Sequence, residues 1–196
     1  MGKRIFDFVI SSIILTLISP FIAAFALIIK LTSEGSVFFQ QERIGLNGKP
    51  FKIIKLRTMK ENSGGFPYLT TRNDDRITYF GMFLRKYKLD ELPQFINVLK
   101  GEMSLVGPRP EIRRYVDLFK EDYKIILSVK PGITDYASVL FKNESDLLES
   151  PENYEKDYIE KILPSKIKIY KKYIENKSLK NDLHIIVSTL KSLIFK

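Results

Sequence analysis

Residues 8–29, FVISSIILTLISPFIAAFALII, contain no charged side chain. As a straight helix this run spans about 33 Å, enough for the hydrocarbon core of a bilayer. In lipid, backbone polar groups must be satisfied within the segment, so a helix is the only fold open to it. Pro20 interrupts the run. It has no N–H for the carbonyl of Thr16 and its ring crowds that turn, which predicts a kink, and the Ser19 hydroxyl can serve the carbonyl that is left over. The flanks are basic at both ends, with Lys3 and Arg4 before the run and Lys30 after it. Basic flanks favour the cytoplasmic side, and the rest of the chain, with most of the positive charge and no second apolar run, favours it too. A helix that enters the membrane, breaks at Ser19-Pro20 and returns satisfies both ends; a kinked single span is the alternative. A cleaved signal peptide fits less well, because the run exceeds a usual h-region and no small-residue cleavage site precedes Lys30. The division expected is therefore a re-entrant membrane helix over 1–31 and a membrane-associated catalytic domain over 32–196.

Beyond the apolar run, VFFQQ (37–41) and KPFKIIKLRTM (49–59) are strand-like, and the Asn47-Gly48 pair between them predicts a β-hairpin. Ile77, Phe80, Leu84 and Tyr87 recur at helical spacing and predict a helix from Asp75 to about Lys88. Leu92, Phe95, Ile96 and Leu99 predict another over 92–100, stopped by Gly101. MSLV reads as a strand, EIRRYVDLFKEDYKIIL as one amphipathic helix ended by PGIT (131–134), and NYEKDYIEKIL and SKIKIYKKYIEN as helices on either side of Pro164. Leu183, Ile186, Val187, Leu190, Leu193 and Ile194 form an apolar stripe near the C-terminus. A core face is the ordinary reading of such a stripe; with lysines nearby it also fits a helix lying on a membrane surface. The class expected is α+β, mostly helical with a small β-hairpin, with amphipathic interfacial helices.

The chain has no cysteine, so thiolate metal sites are excluded, and its single histidine argues against a His-based triad or a multi-histidine zinc site. A formal charge of +9 implies an anionic partner: membrane lipid, phosphorylated ligands or nucleic acid. No nucleic-acid motif is present, and the bilayer is the simpler partner for the lysines.

Chemistry concentrates in KLDELPQFINVLKGEMSLVGPRP (88–110). Asp90 and Glu91 stand together near a helix start, a place that favours negative charge and where acids also serve simply as caps. Arg85 precedes them, and Arg109 lies between Pro108 and Pro110. Two arginines can hold a phosphate bidentately, and a carboxylate pair can supply a nucleophile and bind a divalent cation through oxygen. Beside a lipid-embedded segment this suggests phosphoryl chemistry at a membrane surface. A phospholipid-modifying enzyme and a non-catalytic anchored basic protein, binding anionic lipid or nucleic acid, obey the same logic.

KRIFDF (3–8), Ser19-Pro20, GSVFFQQERIG (35–45), FKIIKLRTM (51–59), RKYKLDELPQFINVLKGEMSLVGPRP (85–110) and PGIT (131–134) together resemble the bacterial sugar transferase family, the monotopic phosphoglycosyl transferases, in a small single-domain form. The resemblance implies transfer of a phosphosugar from a UDP-sugar to a polyprenol phosphate such as undecaprenyl phosphate. It implies a covalent aspartyl-phosphosugar intermediate, Mg2+, and a re-entrant helix at the cytoplasmic face of the bacterial inner membrane. Carried onto this chain it implies Asp90 as nucleophile, Glu91 as its partner near the metal, Arg85 and Arg109 on phosphates, and Lys55 and Arg57 lining the same site. Many members read PGITGWAQVNGRN where this chain reads PGITDYASVLFKN (131–143). Asp135 and Tyr136 replace Gly and Trp, and Lys142 stands where an arginine is expected to meet the nucleotide, keeping the charge without the planar fork. That leaves the sugar nucleotide open, along with the glycan pathway and whether a homodimer forms.

Overall fold

A computed structural model describes residues 2–60, 74–141 and 153–194. Helix α1 (Gly2–Thr32) is followed by a hairpin of β1 (Phe38–Ile44) and β2 (Pro50–Leu56). Next come α2 (Tyr79–Lys86), a 3-10 turn at Leu89–Glu91, α3 (Gln94–Lys100), β3 (Ser104–Val106), α4 (Arg113–Leu118) and α5 (Lys120–Ile126). The chain ends in β4 (Gly132–Thr134), α6 (Tyr136–Leu140), α7 (Tyr154–Asp157), α8 (Leu163–Glu175) and α9 (Leu179–Ile194). The class is α+β, mostly helical with small sheets.

The hairpin forms where Asn47-Gly48 predicts it. Both residues take positive φ, 56° and 73°, and Lys49 N–H closes the turn on Leu46 O at 3.2 Å. Residues with φ above zero at both central positions match the right-handed twist of the flanking strands. Gly101, at φ 84°, ends α3 as expected. Five expectations are corrected. Helix α2 begins only at Tyr79, because Thr78 caps it, its side chain accepting from Gly81 N–H, and Ile77 bridges to Met59. The helix read as 92–100 begins at Gln94, so Asp90 is no N-cap; it lies in the 3-10 turn before it. The 113–126 helix breaks at Phe119, with φ −122° and ψ 44°. PGIT is more than a terminator: it is strand β4, pairing in parallel with β3, Ser104 opposite Gly132 and Val106 opposite Thr134. Pro164 interrupts nothing, because a π-helical turn at Tyr158–Ile162 joins α7 to α8 and the proline falls in the first turn of α8.

The main core gathers α4, α5, α7 and α8 around Tyr115, Tyr123, Ile126, Tyr158, Ile162, Leu163 and Tyr170. Lys166, read from sequence as part of a basic surface, is buried, with its ammonium 5.0 Å from the Tyr158 ring. The predicted C-terminal stripe mostly faces outward: Leu183, Val187, Leu190 and Leu193 are exposed, and Ile185 and Asp182 anchor α9 instead.

Helix α1 runs through Pro20 without interruption, where the sequence predicts a break. Ser19 Oγ donates to Thr16 O at 2.9 Å, replacing the hydrogen bond that Pro20 cannot give. Ser12 and Thr16 hydroxyls likewise bond back to Phe8 and Ser12 carbonyls. α1 is long and apolar enough to cross a membrane, with mean hydropathy 2.5 over its most apolar window. Both its ends dock on the same domain. Phe6 and Ile10 pack against the cluster of Leu105, Val106, Tyr173 and Ile185, and Ile22, Phe25 and Ile29 against Leu56 and Leu84. Between them Ile13, Leu17 and Phe21 are exposed. At the first end Arg4 donates to Val98 O and Leu99 O at 2.5 and 2.8 Å, covering carbonyls at the end of α3. Lys3 pairs with Asp182. Asp7 is buried and accepts from Ser104 Oγ at 2.8 Å and Leu105 N–H at 3.2 Å. Asp7→Ala leaves two buried donors unsatisfied, a loss of roughly 2 kcal/mol or more. Denaturant unfolding in detergent should show that loss, and an unchanged midpoint would contradict the docking role.

Candidate functional site

The quoted acids lie where β2, the 3-10 turn and the loop after β3 converge. Lys88, in the left-handed region at φ 57° and ψ 22°, turns the chain out of α2, and Leu92 N–H closes the 3-10 turn on Leu89 O. Asn97, fully buried on α3, sets the distance to β2. Its Oδ1 accepts from Ile54 N–H at 3.1 Å and its Nδ2 donates to Lys52 O at 2.8 Å. The Pro108-Arg109-Pro110 loop is stitched to β4. Gly107 N–H donates to Thr134 O at 3.1 Å and Gly132 N–H to Pro108 O at 3.0 Å. A Cβ on Gly132 would lie 2.1 Å from Gly107 N, so only glycine admits this approach.

Glu91 Oε1 receives both Lys55 Nζ at 2.7 Å and Arg109 Nη2 at 2.9 Å. Burial pushes the Glu91 carboxyl up, but Arg109 and Lys55 outweigh it and hold it well below the usual carboxylate range. The same Glu91 charge raises the Arg109 guanidinium against its burial. Asp90 behaves oppositely. It is 7% exposed, and among the described residues no donor hydrogen-bonds its carboxylate. Burial and the neighbouring Glu91 charge push Asp90 above its ordinary value, against the pull of Lys55, Arg85 and Lys88. One acid is thus a fixed ionic anchor, and the other is a buried carboxylate that no described donor hydrogen-bonds.

The structure brings Lys55, Arg85 and Arg109 around the two acids as the sequence predicts. Arg85 Nε donates to Thr58 Oγ1 at 2.7 Å, which fixes its direction. Arg57 is placed differently. Its guanidinium binds Ser33 O at 3.0 Å, Ser33 Oγ at 2.9 Å and Glu34 O, tying down the end of α1. Lys142 lies outside the described residues. Asp135 caps α6, its Oδ1 accepting from Ser138 N–H at 2.9 Å, while Tyr136 packs 6.0 Å from the His184 ring. Burial raises the Asp135 carboxyl, and Ser138 and Arg109 oppose it. Lys88, Asn97 and Gly132 were missed from sequence: a lysine among many lysines, a polar helix residue and a loop glycine carry no signal until their neighbours are known.

Among the described residues no group of three or more His, Cys, Asp or Glu gathers at one point. A cation that takes one or two carboxylates together with substrate phosphates still fits Asp90 and the second oxygen of Glu91. The unbonded, buried Asp90 carboxylate is the feature that suits it.

All of the chain, residues 1–196, matches the sequence model of the family described as bacterial sugar transferase. The chain belongs to the bacterial sugar transferase family. It is 47% identical over 156 residues to a UDP-glucose:undecaprenyl-phosphate glucose-1-phosphate transferase of Escherichia coli (strain K12), covering 76% of this chain and 33% of that protein. A UDP-N-acetylgalactosamine-undecaprenyl-phosphate N-acetylgalactosaminephosphotransferase of Aeromonas hydrophila is 37% identical, covering 98% of this chain and 43% of that protein. A UDP-glucose:undecaprenyl-phosphate glucose-1-phosphate transferase of Caulobacter vibrioides is 38% identical, covering 99% of this chain and 70% of that protein. This bacterial sugar transferase chain therefore spans a third to under half of the length of the first two relatives.

The two acids respond to amidation in opposite ways. In Asp90→Asn a buried charge is removed. Its folded carboxyl titrates above the unfolded one, so ionisation costs stability that begins in the ordinary carboxylate range and is complete above the folded pKa. Asp90→Asn should raise the Tm at pH 7, and the gain should vanish on acidification through the ordinary carboxylate range. Glu91→Gln strands two cations. Breaking such a buried pair costs about 3–5 kcal/mol, discounted here to roughly 2–3 because Arg109 is part exposed. A Glu91→Gln protein as stable as wild type would contradict this division of labour.

Proposed function

We propose that this chain moves a phosphosugar from a UDP-sugar to a polyprenol phosphate such as undecaprenyl phosphate, releasing UMP and a polyprenyl-diphosphate sugar. The observation that carries the reading is Asp90, a buried carboxylate with no hydrogen-bond donor among the described residues, beside a glutamate held by Lys55 and Arg109. Relatives aligned over nearly the whole chain are named for sugar-phosphate transfer to undecaprenyl phosphate.

In the first step an Asp90 oxygen attacks the sugar-bearing phosphorus. The bond from that phosphorus to the bridging oxygen breaks, and UMP leaves. In the second, an oxygen of the lipid phosphate attacks the same phosphorus and Asp90 departs as carboxylate. Arg85 and Arg109 would hold phosphate oxygens, and the Pro108 and Pro110 rings would fix Arg109 before substrate arrives, which lowers the ordering left for the transition state. Asp90 and Glu91 would hold Mg2+, which when bound supplies positive charge to the diphosphate. Lys142 is proposed to meet the nucleotide.

Both ends of α1 touch one domain while its middle is exposed and apolar, which supports re-entry over a span, at the cytoplasmic face of the bacterial inner membrane. The outward face of α9, Leu183, Val187, Leu190 and Leu193, suits an interfacial helix on anionic lipid. Arg57 would then hold the returning end of α1 in place.

Asp90→Asn should lose at least about 10³-fold in rate, roughly 4 kcal/mol of barrier. Wild type with a labelled UDP-sugar and no acceptor should release a stoichiometric burst of UMP and carry the label on the Asp90 peptide. Near-normal turnover of Asp90→Asn, or label on Glu91, would falsify the assignment. For topology, cysteines placed at Lys3 and Lys30 should both react only from the cytoplasmic side; labelling of position 3 from the periplasm would establish a span.

A further inference from the structure

Around Asp90 three cations already have partners. Lys55 and Arg109 share Glu91 Oε1, and Arg85 Nε is held by Thr58. Lys88 differs. It is exposed, stands two residues before Asp90, and its charge acts on both Asp90 and Glu91. Among the described residues no hydrogen bond or ion pair engages its ammonium. Its backbone is left-handed, a conformation that β-carbon-bearing residues avoid and that Asn or Gly would hold with less strain. The turn imposes it: Lys88 N–H donates to Arg85 O at 3.2 Å, and Lys88 O accepts from Glu91 N–H at 3.3 Å. Strained residues of this kind concentrate where function needs them.

A second observation leads to the same point. Phe25 of α1 meets Phe80 of α2 at 5.9 Å between ring centroids, Phe80 meets Phe83 at 5.9 Å, and Phe83 meets Tyr87 at 5.2 Å. This ladder begins on the apolar helix and ends on the residue before Lys88. Phe83 and Tyr87 are 45% and 46% exposed. An apolar rail leading from the lipid-seeking segment to an unengaged cation beside a nucleophile has the chemistry of an amphiphile's site: apolar chain on the rail, anionic head on the cation.

We propose that Lys88 binds the phosphate of the lipid acceptor, with Phe80, Phe83 and Tyr87 carrying the first isoprenoid units of its chain. This rests on the transfer reaction above. In the second step an acceptor phosphate oxygen forms its bond to the phosphorus on Asp90 as the Asp90 oxygen–phosphorus bond breaks. Two anionic groups must approach there, and Lys88 offsets their repulsion.

The test uses the full chain in detergent micelles, with labelled undecaprenyl phosphate and with dimethylallyl phosphate as a short acceptor. Lys88→Asn keeps the turn and removes the charge. It should weaken binding of undecaprenyl phosphate, and raise its KM, by about tenfold, as expected for loss of one charge-assisted hydrogen bond. Its Tm should hold or rise, and its acceptor-free UMP burst, with UDP-glucose or UDP-N-acetylgalactosamine as donor, should keep the wild-type amplitude. Lys88→Arg should recover binding. Phe83→Ser should weaken undecaprenyl phosphate and leave dimethylallyl phosphate unaffected. Unchanged acceptor binding in Lys88→Asn overturns the proposal, as does loss of the burst with acceptor binding intact, which would assign Lys88 to the donor. A Lys88→Arg as poor as Lys88→Asn would make the role conformational and overturn it too. Acceptor binding through Lys88 in a wild type that releases no UMP would sustain this proposal and refute the transfer reading.

Discussion

The contact between Glu91 and its two cations organises the site. It joins three segments distant in sequence: β2 through Lys55, the 3-10 turn through Glu91, and the loop after β3 through Arg109. A buried carboxylate with one partner would be costly to hold; with two it stays ionised and draws both segments inward. Once Glu91 is neutralised in this way, Asp90 beside it is left without a donor and with a raised affinity for protons. The difference between the adjacent acids is made by their partners and not by their chemistry.

The same frame depends on how α1 is seated. Its first turns are held by polar contacts, Arg4 on the end of α3 and Asp7 on the start of β3. Its last turns are held by apolar packing and by Arg57 on the Ser33 and Glu34 carbonyls. α3 and β3 are the elements that place Glu91 and Arg109, so the apolar helix and the charged site share supports. For the transfer proposed above, which brings together a water-soluble nucleotide and a lipid, such sharing would let the seating of α1 set the height of Asp90.

Much of the fold was legible. The hairpin followed from Asn47-Gly48, and the end of α3 from Gly101, since each needs a backbone conformation that few residues adopt. The start of α2 was misplaced because periodicity ignores the Thr78 cap and the Ile77 bridge to Met59. β4 was hidden because three residues are too few for a pattern, and its partner β3 lies across two intervening helices. In the site, Lys55, Arg85 and Arg109 do stand around the acids, whereas Arg57, two residues after Lys55, turns to α1. Arg57 lies just past the end of β2, where its neighbours are Ser33 and Glu34 at the end of α1.

The sequence by itself determined that an uncharged apolar run bearing a proline precedes a basic domain, and that two acids and two arginines fall in one short block from 85 to 110. Hydropathy, charge and turn chemistry are local properties, so a linear reading recovers them. Only the tertiary structure decided which acid is anchored and which has no described donor, that α9 turns its apolar stripe outward, that Lys166 is buried, and that Lys88 stands strained beside Asp90, unengaged among the described residues. Each of these depends on what lies opposite a side chain, and that is set by packing between segments far apart in the chain.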